Sequence, residues 1–85
     1  MGAPRLSETT IHLIDYLLQR GWKQHRIAAA VGSTQGTVSE IKRRVKRYEN
    51  YTGYEAPTPA HRMIHEAHMQ ALVRQIEGKS RSKAA

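Results

Sequence analysis

The sequence of 85 residues contains no cysteine and no phenylalanine, and it has a single tryptophan. The lack of cysteine excludes disulfides and thiolate metal sites, and it is typical of proteins from a reducing cytoplasm. Aromatic residues make up only 6% of the chain, so a large apolar core is excluded. Domains this short bury only about 60% of the surface of their unfolded chains. We therefore expect one small domain with extended arms.

Several functional signals are also missing. No apolar run approaches the roughly 18 residues of a membrane span, and the N-terminus lacks the apolar region of a signal peptide. The chain has no nucleophile elbow, no P-loop and no paired carboxylates at catalytic spacing. These absences predict a protein that is not an enzyme, needs no cofactor, and binds neither a membrane nor a small-molecule ligand.

Basic residues are abundant and unevenly distributed. The formal net charge is +7, from 14 lysines and arginines against 7 acids. Eight of these cations lie between residues 20 and 47, where Glu40 is the single acid, and five of them crowd into residues 42–47. Net charge alone does not separate nucleic acid from other anionic partners. Its concentration in one segment favours a polyanion, with a merely solvated helix face as the alternative.

Apolar residues recur at helical spacing, and no strand-like alternation of useful length appears. The first helix is predicted from Leu6 to Arg20, with Ser7 as its N-cap. The second runs roughly from Lys23 to Val31 and ends at Gly32. Two short helices joined by a tight turn are therefore expected before the basic segment.

The third helix should start after Thr34, whose hydroxyl can serve as the N-cap. Val38, Ile41 and Val45 follow at i, i+3 and i+7, so they should line the inner face and anchor this helix on the first two. The outer face would carry polar and basic residues as far as Arg47. The fold class predicted is all-α, with a three-helix helix-turn-helix core and an additional C-terminal helix.

Breakers and composition divide the chain into five segments. Residues 1–5 are predicted to be a flexible N-terminal arm, and residues 6–48 the helix-turn-helix domain. Residues 49–57 form a linker with Gly53 and Pro57 as breakers. Residues 58–77 form the C-terminal helix, which starts at Thr58-Pro59. Residues 78–85, which begin with Gly78, are predicted to be a disordered basic tail.

The first two turns of the third helix carry short polar groups that suit the major groove of DNA, which is about 12 Å wide. Gln35 has the amide geometry for a bidentate contact to adenine, and Arg43 could reach guanine or a phosphate. The Glu40 carboxylate would accept from cytosine N4, or pair with Arg43 or Arg44. The residues predicted to contact bases are Gln35, Gly36, Ser39, Glu40 and Arg43.

Residues 6–47 resemble the trihelical, homeodomain-like helix-turn-helix of bacterial and phage regulators, and the DNA-binding ends of invertases and resolvases. The matching residues are Leu6-Ser7-Glu8, Leu17-Leu18, Gly21-Trp22, Ile27-Ala28-Ala29, Val31-Gly32, Gln35-Gly36-Thr37-Val38-Ser39 and Ile41. At the turn the family reads G-(V/I)-S, whereas this chain has Gly32-Ser33-Thr34. The resemblance implies that Gln35, Gly36 and Glu40 face bases, and that Thr34 and Arg43 touch the backbone or flanking bases.

Affinity would come from contacts to phosphates. The basic segment supplies side chains, and the start of the second helix also offers backbone N–H groups. Arg5 is predicted to reach the minor groove from the N-terminal arm, with a disordered terminus as the alternative. The residues predicted to contact the DNA backbone are Lys23, Gln24, His25, Arg26, Thr34, Thr37, Arg44, Lys46 and Arg47.

The C-terminal helix has two features of its own. An apolar stripe could pair with a second copy or fold back on the trihelical unit, and a homodimer is predicted. The residues predicted for dimerisation are Ile64, Met69, Leu72, Val73 and Ile76. His61, His65 and His68 lie at i, i+4 and i+7, but no carboxylate or cysteine clearly completes a metal site, so no metal is predicted.

These features predict sequence-specific binding to double-stranded DNA. The function expected is that of a small transcriptional regulator of phage or mobile-element type, a repressor that acts as a homodimer. We expect it in the cytoplasm or nucleoid of a bacterial host. The alternative is a DNA-binding subunit of a recombination or packaging machine, similar to an excisionase or a small terminase.

Overall fold

A computed structural model of the protein describes the backbone of residues 6–84 and the side chains of residues 6–78. Over that range the chain forms helices and connecting loops, without a strand. The elements are α1 (Glu8–Gln19), α2 (Gln24–Val31), α3 (Gln35–Arg43), a 3-10 helix (Lys46–Tyr48) and α4 (Pro59–Ala84). The all-α prediction is therefore confirmed. Arg5 and the rest of the predicted arm lie outside the described residues.

The chain divides into two compact units, one ending at Gly53 and the other starting at Tyr54. The first unit thus extends five residues beyond residue 48, the predicted end of the domain. The Tyr48 side chain is buried. Residues 49–53 of the predicted linker are therefore part of the first unit.

Three helices build the core of the first unit, and each of α1, α2 and α3 contacts the other two. Their apolar side chains meet in the middle because each helix carries a stripe at intervals of three and four residues. Removing one such side chain from a core this small would cost about 2–5 kcal/mol. The buried apolar residues are Leu13, Ile14 and Leu17 of α1, Ile27 and Ala28 of α2, and Val38 and Ile41 of α3.

The helix starts agree with the predicted capping residues. The Ser7 hydroxyl accepts from the Thr10 amide at 3.1 Å, and α1 begins at the next residue, Glu8. Thr34 accepts in the same way from the Thr37 amide at 3.1 Å. Between α2 and α3, Gly32 adopts a left-handed φ of 72°, which a residue with a Cβ rarely adopts. A turn of three residues, 32–34, therefore separates the two helices, as predicted.

The third helix is shorter than the sequence predicts. It ends at Arg43, because Arg44 takes a left-handed φ of 55° and Val45 is extended. Lys46 is left-handed as well, with a φ of 57°. Val45 does not therefore continue the inner face of α3, and the predicted extension of this helix to Arg47 is wrong.

The fourth helix is longer than predicted. It starts at Pro59 as expected, and the Thr58 hydroxyl accepts from the His61 amide at 3.2 Å. It then passes through Gly78 and reaches Ala84, so the prediction of a disordered tail from residue 78 is wrong for residues 78–84. Glycine inside a helix costs about 1 kcal/mol relative to alanine but does not by itself end the helix, and no proline follows it here. Within the described range, none of the helices combines the length and apolar character that crossing a membrane requires.

Candidate nucleic-acid interface

The outer face of α3 carries the residues that the sequence predicts to read bases. Val38 and Ile41 are 0% exposed and form the inner face of this helix. At 3.6 residues per turn, the five predicted base-contacting residues project to the opposite side. Gln35, Gly36 and Arg43 are exposed, and Ser39 and Glu40 are half-buried. The structure thus brings all five predicted residues together on one helix face.

The start of α3 is built from two threonine hydroxyls that bond to each other. The Thr34 hydroxyl donates to Thr37 Oγ1 at 3.0 Å and accepts from the Thr37 amide. Its proton is therefore used within the cap. The Thr37 hydroxyl accepts in this pair, so its own proton remains available to donate. A Cβ added at Gly36 would meet only Thr34 Oγ1, at 3.8 Å, so the core does not require a glycine there.

Glu40 has a different partner from those expected. Its carboxylate lies 3.6 Å from the Lys46 ammonium, not beside Arg43 or Arg44. The left-handed turn after α3 brings Lys46 back toward the helix, which the predicted continuous helix would not do. A partly exposed pair of this kind stabilises the fold by at most about 1 kcal/mol. It does offset the negative charge on the outer face of α3.

Exposed cations lie at two places along the chain: around the start of α2, and from the last turn of α3 into the 3-10 helix. Lys42 and Arg43 occupy the last turn of α3, and Lys46 and Arg47 lie in the 3-10 helix. At the other place, Lys23 precedes α2 and provides no side-chain cap, and the first turn of α2 has no acidic residue. The exposed members of the predicted phosphate-contacting set are Lys23, His25, Arg26, Thr34, Lys46 and Arg47, while Gln24 and Thr37 are half-buried.

The single tryptophan holds one of these cations. The guanidinium carbon of Arg26 lies 3.9 Å from the centre of the Trp22 ring. Such a cation–π contact contributes about 0.5–1 kcal/mol at an exposed site. The contact restricts Arg26 to the beginning of α2.

Arg44 is engaged within the first unit, in contrast to the cations around it. Its Nη2 bonds to Asp15 Oδ1 at 2.9 Å, and its Nη1 donates to the Ile41 carbonyl at the end of α3. Asp15 is only 8% exposed and also accepts from Gln19 at 3.0 Å. The guanidinium carbon stacks 4.6 Å from the centre of the Tyr51 ring. Arg44 therefore ties α3 to α1, and we remove it from the predicted phosphate contacts.

Tyr51 continues this arrangement, which we call the Arg44 clasp and define as Asp15, Arg44, Tyr51 and His12. The Tyr51 hydroxyl lies 2.7 Å from His12 Nδ1 on α1. Burial of Tyr51, together with the nearby Asp15 carboxylate, raises its pKa to about 12, although Arg44 acts in the opposite direction. The clasp fastens the segment after α3 to α1. The sequence pattern does not reveal the clasp, because its members lie far apart along the chain.

The residues predicted for dimerisation do not share one face of α4. Met69, Leu72, Val73 and Ile76 project to one side, whereas Ile64 lies about 140° away from Met69 around the axis.

Among the described side chains, no three His, Asp or Glu residues form a group that could hold a metal ion. His61 Nδ1 lies 2.7 Å from the Thr58 hydroxyl, and the His65 ring stacks on Tyr54 with centroids 3.7 Å apart.

The sequence matches no protein-family model, no curated protein and no solved structure. The function must therefore be inferred from the side chains themselves. The feature with the clearest chemical meaning is the outer face of α3, together with the exposed cations that precede α2 and follow α3.

Proposed function

We propose that this protein binds double-stranded DNA in a sequence-specific manner, as a helix-turn-helix protein whose α3 lies in the major groove. The observation that carries the proposal is the division of α3 into two faces. Its inner face is wholly buried through Val38 and Ile41, and its outer face presents short polar groups and Arg43. A rigidly anchored helix with an uncovered polar face is what recognition of base edges requires.

The dimensions of α3 suit the groove. Nine residues make a helix of about 13.5 Å, and the major groove is about 12 Å wide. Gln35 in the first turn would donate to and accept from adenine, and Arg43 in the last turn would donate to guanine. Gly36 lies between them without a side chain, which allows the helix backbone to approach the base edges closely.

Glu40 is the residue that we expect to add selectivity. A carboxylate facing the groove is repelled by phosphates, so its value lies in accepting a hydrogen bond from cytosine N4. The Lys46 ammonium 3.6 Å away reduces this repulsion without occupying both carboxylate oxygens. Glu40 should therefore disfavour other bases at one position more than it strengthens binding overall.

The exposed cations supply the affinity for any DNA sequence. Lys23 precedes α2 and Arg26 lies in its first turn, and Lys46 and Arg47 follow α3. Each lysine or arginine that neutralises a phosphate releases a counterion, which makes binding steeply dependent on salt. The Thr37 hydroxyl is the better phosphate donor of the two threonines, because the Thr34 proton is used in the cap.

The biological role that follows most simply is regulation by occupancy: the protein covers an operator and excludes other proteins from it. We propose a repressor of the small phage or mobile-element type. A DNA-binding subunit of a recombination or packaging machine would use the same interface. Footprinting separates the two, because a regulator protects one palindromic site whereas a recombination factor protects several direct repeats.

The test is a selection of bound DNA sequences, followed by affinity measurements with variants of α3. Gln35→Ala and Glu40→Ala should each lose discrimination at one base pair, by about 1–3 kcal/mol, while affinity for unrelated DNA is largely kept. Gln75→Ala, an equivalent change at an exposed position of α4, is the matched control. If both α3 variants prefer the same sequences as the wild type, α3 is not the reading helix.

A second measurement addresses the phosphate contacts. Arg47→Ala should weaken binding to all sequences alike and reduce the slope of log K against log salt by about 0.9. Arg62→Ala removes an exposed arginine from α4 and should leave the slope unchanged. Equal slopes for Arg47→Ala and the wild type would exclude Arg47 from the DNA contacts.

A further inference from the structure

One face of α4 is mostly apolar and exposed. Met63 is 73% exposed and Ile64 is 69% exposed, which makes them the two most exposed large apolar side chains in the described part of the chain. At 3.6 residues per turn, they share an arc of about 100° with several small residues and with Arg74. We call this the Met63 stripe; it consists of Ala60, Met63, Ile64, Ala67, Ala71 and Gly78, all of them exposed.

The sizes of these residues change along the stripe. Bulky Met63 and Ile64 lie in its N-terminal half, and small Ala71 and Gly78 lie in its C-terminal half. An antiparallel copy of the same helix would set the bulky half of each stripe against the small half of the other.

The charges near the middle of α4 also favour an antiparallel pairing of two copies. Residues 59–78 contain two arginines and two glutamates, so their formal net charge is zero, and the remaining residues of α4 add three positive charges at its C-terminal end, from Lys79, Arg81 and Lys83. Glu66, Gln70 and Arg74 are spaced four residues apart, and Gln70 donates to Glu66 at 3.1 Å. Each step of four residues turns by about 40° around the axis, so Arg74 lies within the arc of the Met63 stripe, and Gln70 and then Glu66 lie beside it. A two-fold axis near Gln70 would place each Glu66 opposite the Arg74 of the other copy, giving two equivalent ion pairs.

We propose that the Met63 stripe is a homodimer interface, occupied by α4 of a second copy of this chain in antiparallel orientation. Such a contact is isologous, since the same surface is used by both copies and the assembly closes at two. Of the residues predicted for dimerisation, only Ile64 belongs to this surface. The proposal does not depend on DNA binding, because the Met63 stripe includes none of the residues that we propose to contact DNA.

Sedimentation equilibrium of the full chain without DNA tests the interface. At about 50 µM the wild type should sediment with twice the mass of one 9.7 kDa chain. Ala67→Glu places a carboxylate in the centre of the stripe and should raise the dissociation constant by at least about tenfold. Ala29→Glu, the same substitution at an exposed position of α2, should leave it unchanged. A monomeric wild type, or equal effects of the two variants, would overturn the proposal.

Charge exchange and crosslinking test the orientation. Glu66→Arg and Arg74→Glu should each weaken the dimer, and the double variant should restore it, because both ion pairs then re-form with reversed sign. The chain has no cysteine, so Gln70→Cys provides a single thiol. A short bifunctional maleimide should link two Gln70→Cys copies near the axis, and should not link Arg62→Cys on the opposite side of the helix. Crosslinking at residue 62, or a double variant that does not restore the dimer, contradicts this arrangement. The base preference of the α3 variants is a separate measurement, so failure of the dimer proposal can be distinguished from failure of the DNA-binding proposal.

Discussion

The Arg44 clasp leads to a stability prediction that differs from what a surface arginine would give. Arg44→Ala removes the ion pair to Asp15, the bond to the Ile41 carbonyl and the stacking on Tyr51. Breaking a fully buried pair by removing one partner costs about 3–5 kcal/mol. The Arg44 side chain is 32% exposed, and Gln19 still donates to Asp15, so water and a neutral partner offset part of this cost. We therefore expect a loss of about 2–3 kcal/mol.

A second variant separates the lost contacts from the backbone strain. Arg44 has a left-handed φ of 55°, and this conformation costs a residue with a Cβ about 1–2 kcal/mol. Arg44→Gly loses the same guanidinium but relieves the strain, against a larger entropy loss on folding. It should therefore be more stable than Arg44→Ala by about 0.5–1 kcal/mol. If the two variants are equally stable, the strain at residue 44 is no larger than the additional entropy that glycine loses on folding, and the strain argument fails.

The assay is urea unfolding followed by circular dichroism, together with DNA affinity at one salt concentration. A folding unit of this size has a free energy of unfolding of only about 2–7 kcal/mol, so the midpoint for Arg44→Ala should fall steeply. Asp15→Asn keeps a hydrogen-bonding group at the same position and provides a milder disruption if Arg44→Ala does not fold. The reasoning is refuted if Arg44→Ala unfolds within about 0.5 kcal/mol of the wild type while its DNA affinity falls as much as that of Arg47→Ala.

Two further predictions concern pH and helix capping. Burial and the Asp15 carboxylate raise the pKa of Tyr51 to about 12 in the folded chain, from about 10 in the unfolded chain. The contribution of Tyr51 to the free energy of unfolding should therefore be complete below pH 10 and should fall as the pH rises through 12. In unfolding measured from pH 9 to 12, Tyr51→Phe should lose less stability than the wild type, and Tyr54→Phe should lose as much; identical curves for all three would contradict the cause assigned to the shift. Thr34→Ala should cost about 1 kcal/mol through loss of the cap on α3. Thr34→Ser should retain most of that stability, and a Ser variant as unstable as the Ala variant would argue against capping.

The beginnings of the helices could be predicted because their causes are local in sequence. The hydroxyls of Ser7, Thr34 and Thr58 each accept a hydrogen bond from the amide three residues later in the chain, so four consecutive residues contain the whole interaction. Gly32 is equally local, since its lack of a Cβ permits the left-handed turn at that residue alone. The inner faces of α1, α2 and α3 could also be predicted, because burial follows the helical period.

The end of α3 could not be predicted, because its cause lies far away in the sequence. Arg44 stops the helix while bonded to Asp15, which is 29 residues earlier in the chain. A non-glycine residue with positive φ is uncommon, and two of them, Arg44 and Lys46, occur here within three residues. No pattern in the segment 42–47 distinguishes these two from their neighbours. The same non-local pairing explains why the burial of Asp15 could not be predicted from its neighbours in the sequence.

For the candidate interface, helical spacing predicted which residues share the outer face of α3, but not which residues from outside the helix contact them. Glu40 was expected beside Arg43 or Arg44, and its partner is Lys46 because the chain reverses after α3. In α4, the residues predicted for dimerisation were treated as one apolar surface, although Ile64 lies on another side of the helix. A helix can carry two apolar stripes, and only the angular positions of the residues around its axis separate them.

The stacking of Arg26 on Trp22 provides an optical probe. Since Trp22 is the chain's single tryptophan, light that excites indole selectively excites one residue, and its emission reports the environment at the start of α2. A phosphate that draws the guanidinium from the ring would change the quantum yield without any attached dye. Rapid-mixing experiments could then follow association with unlabelled oligonucleotides in real time.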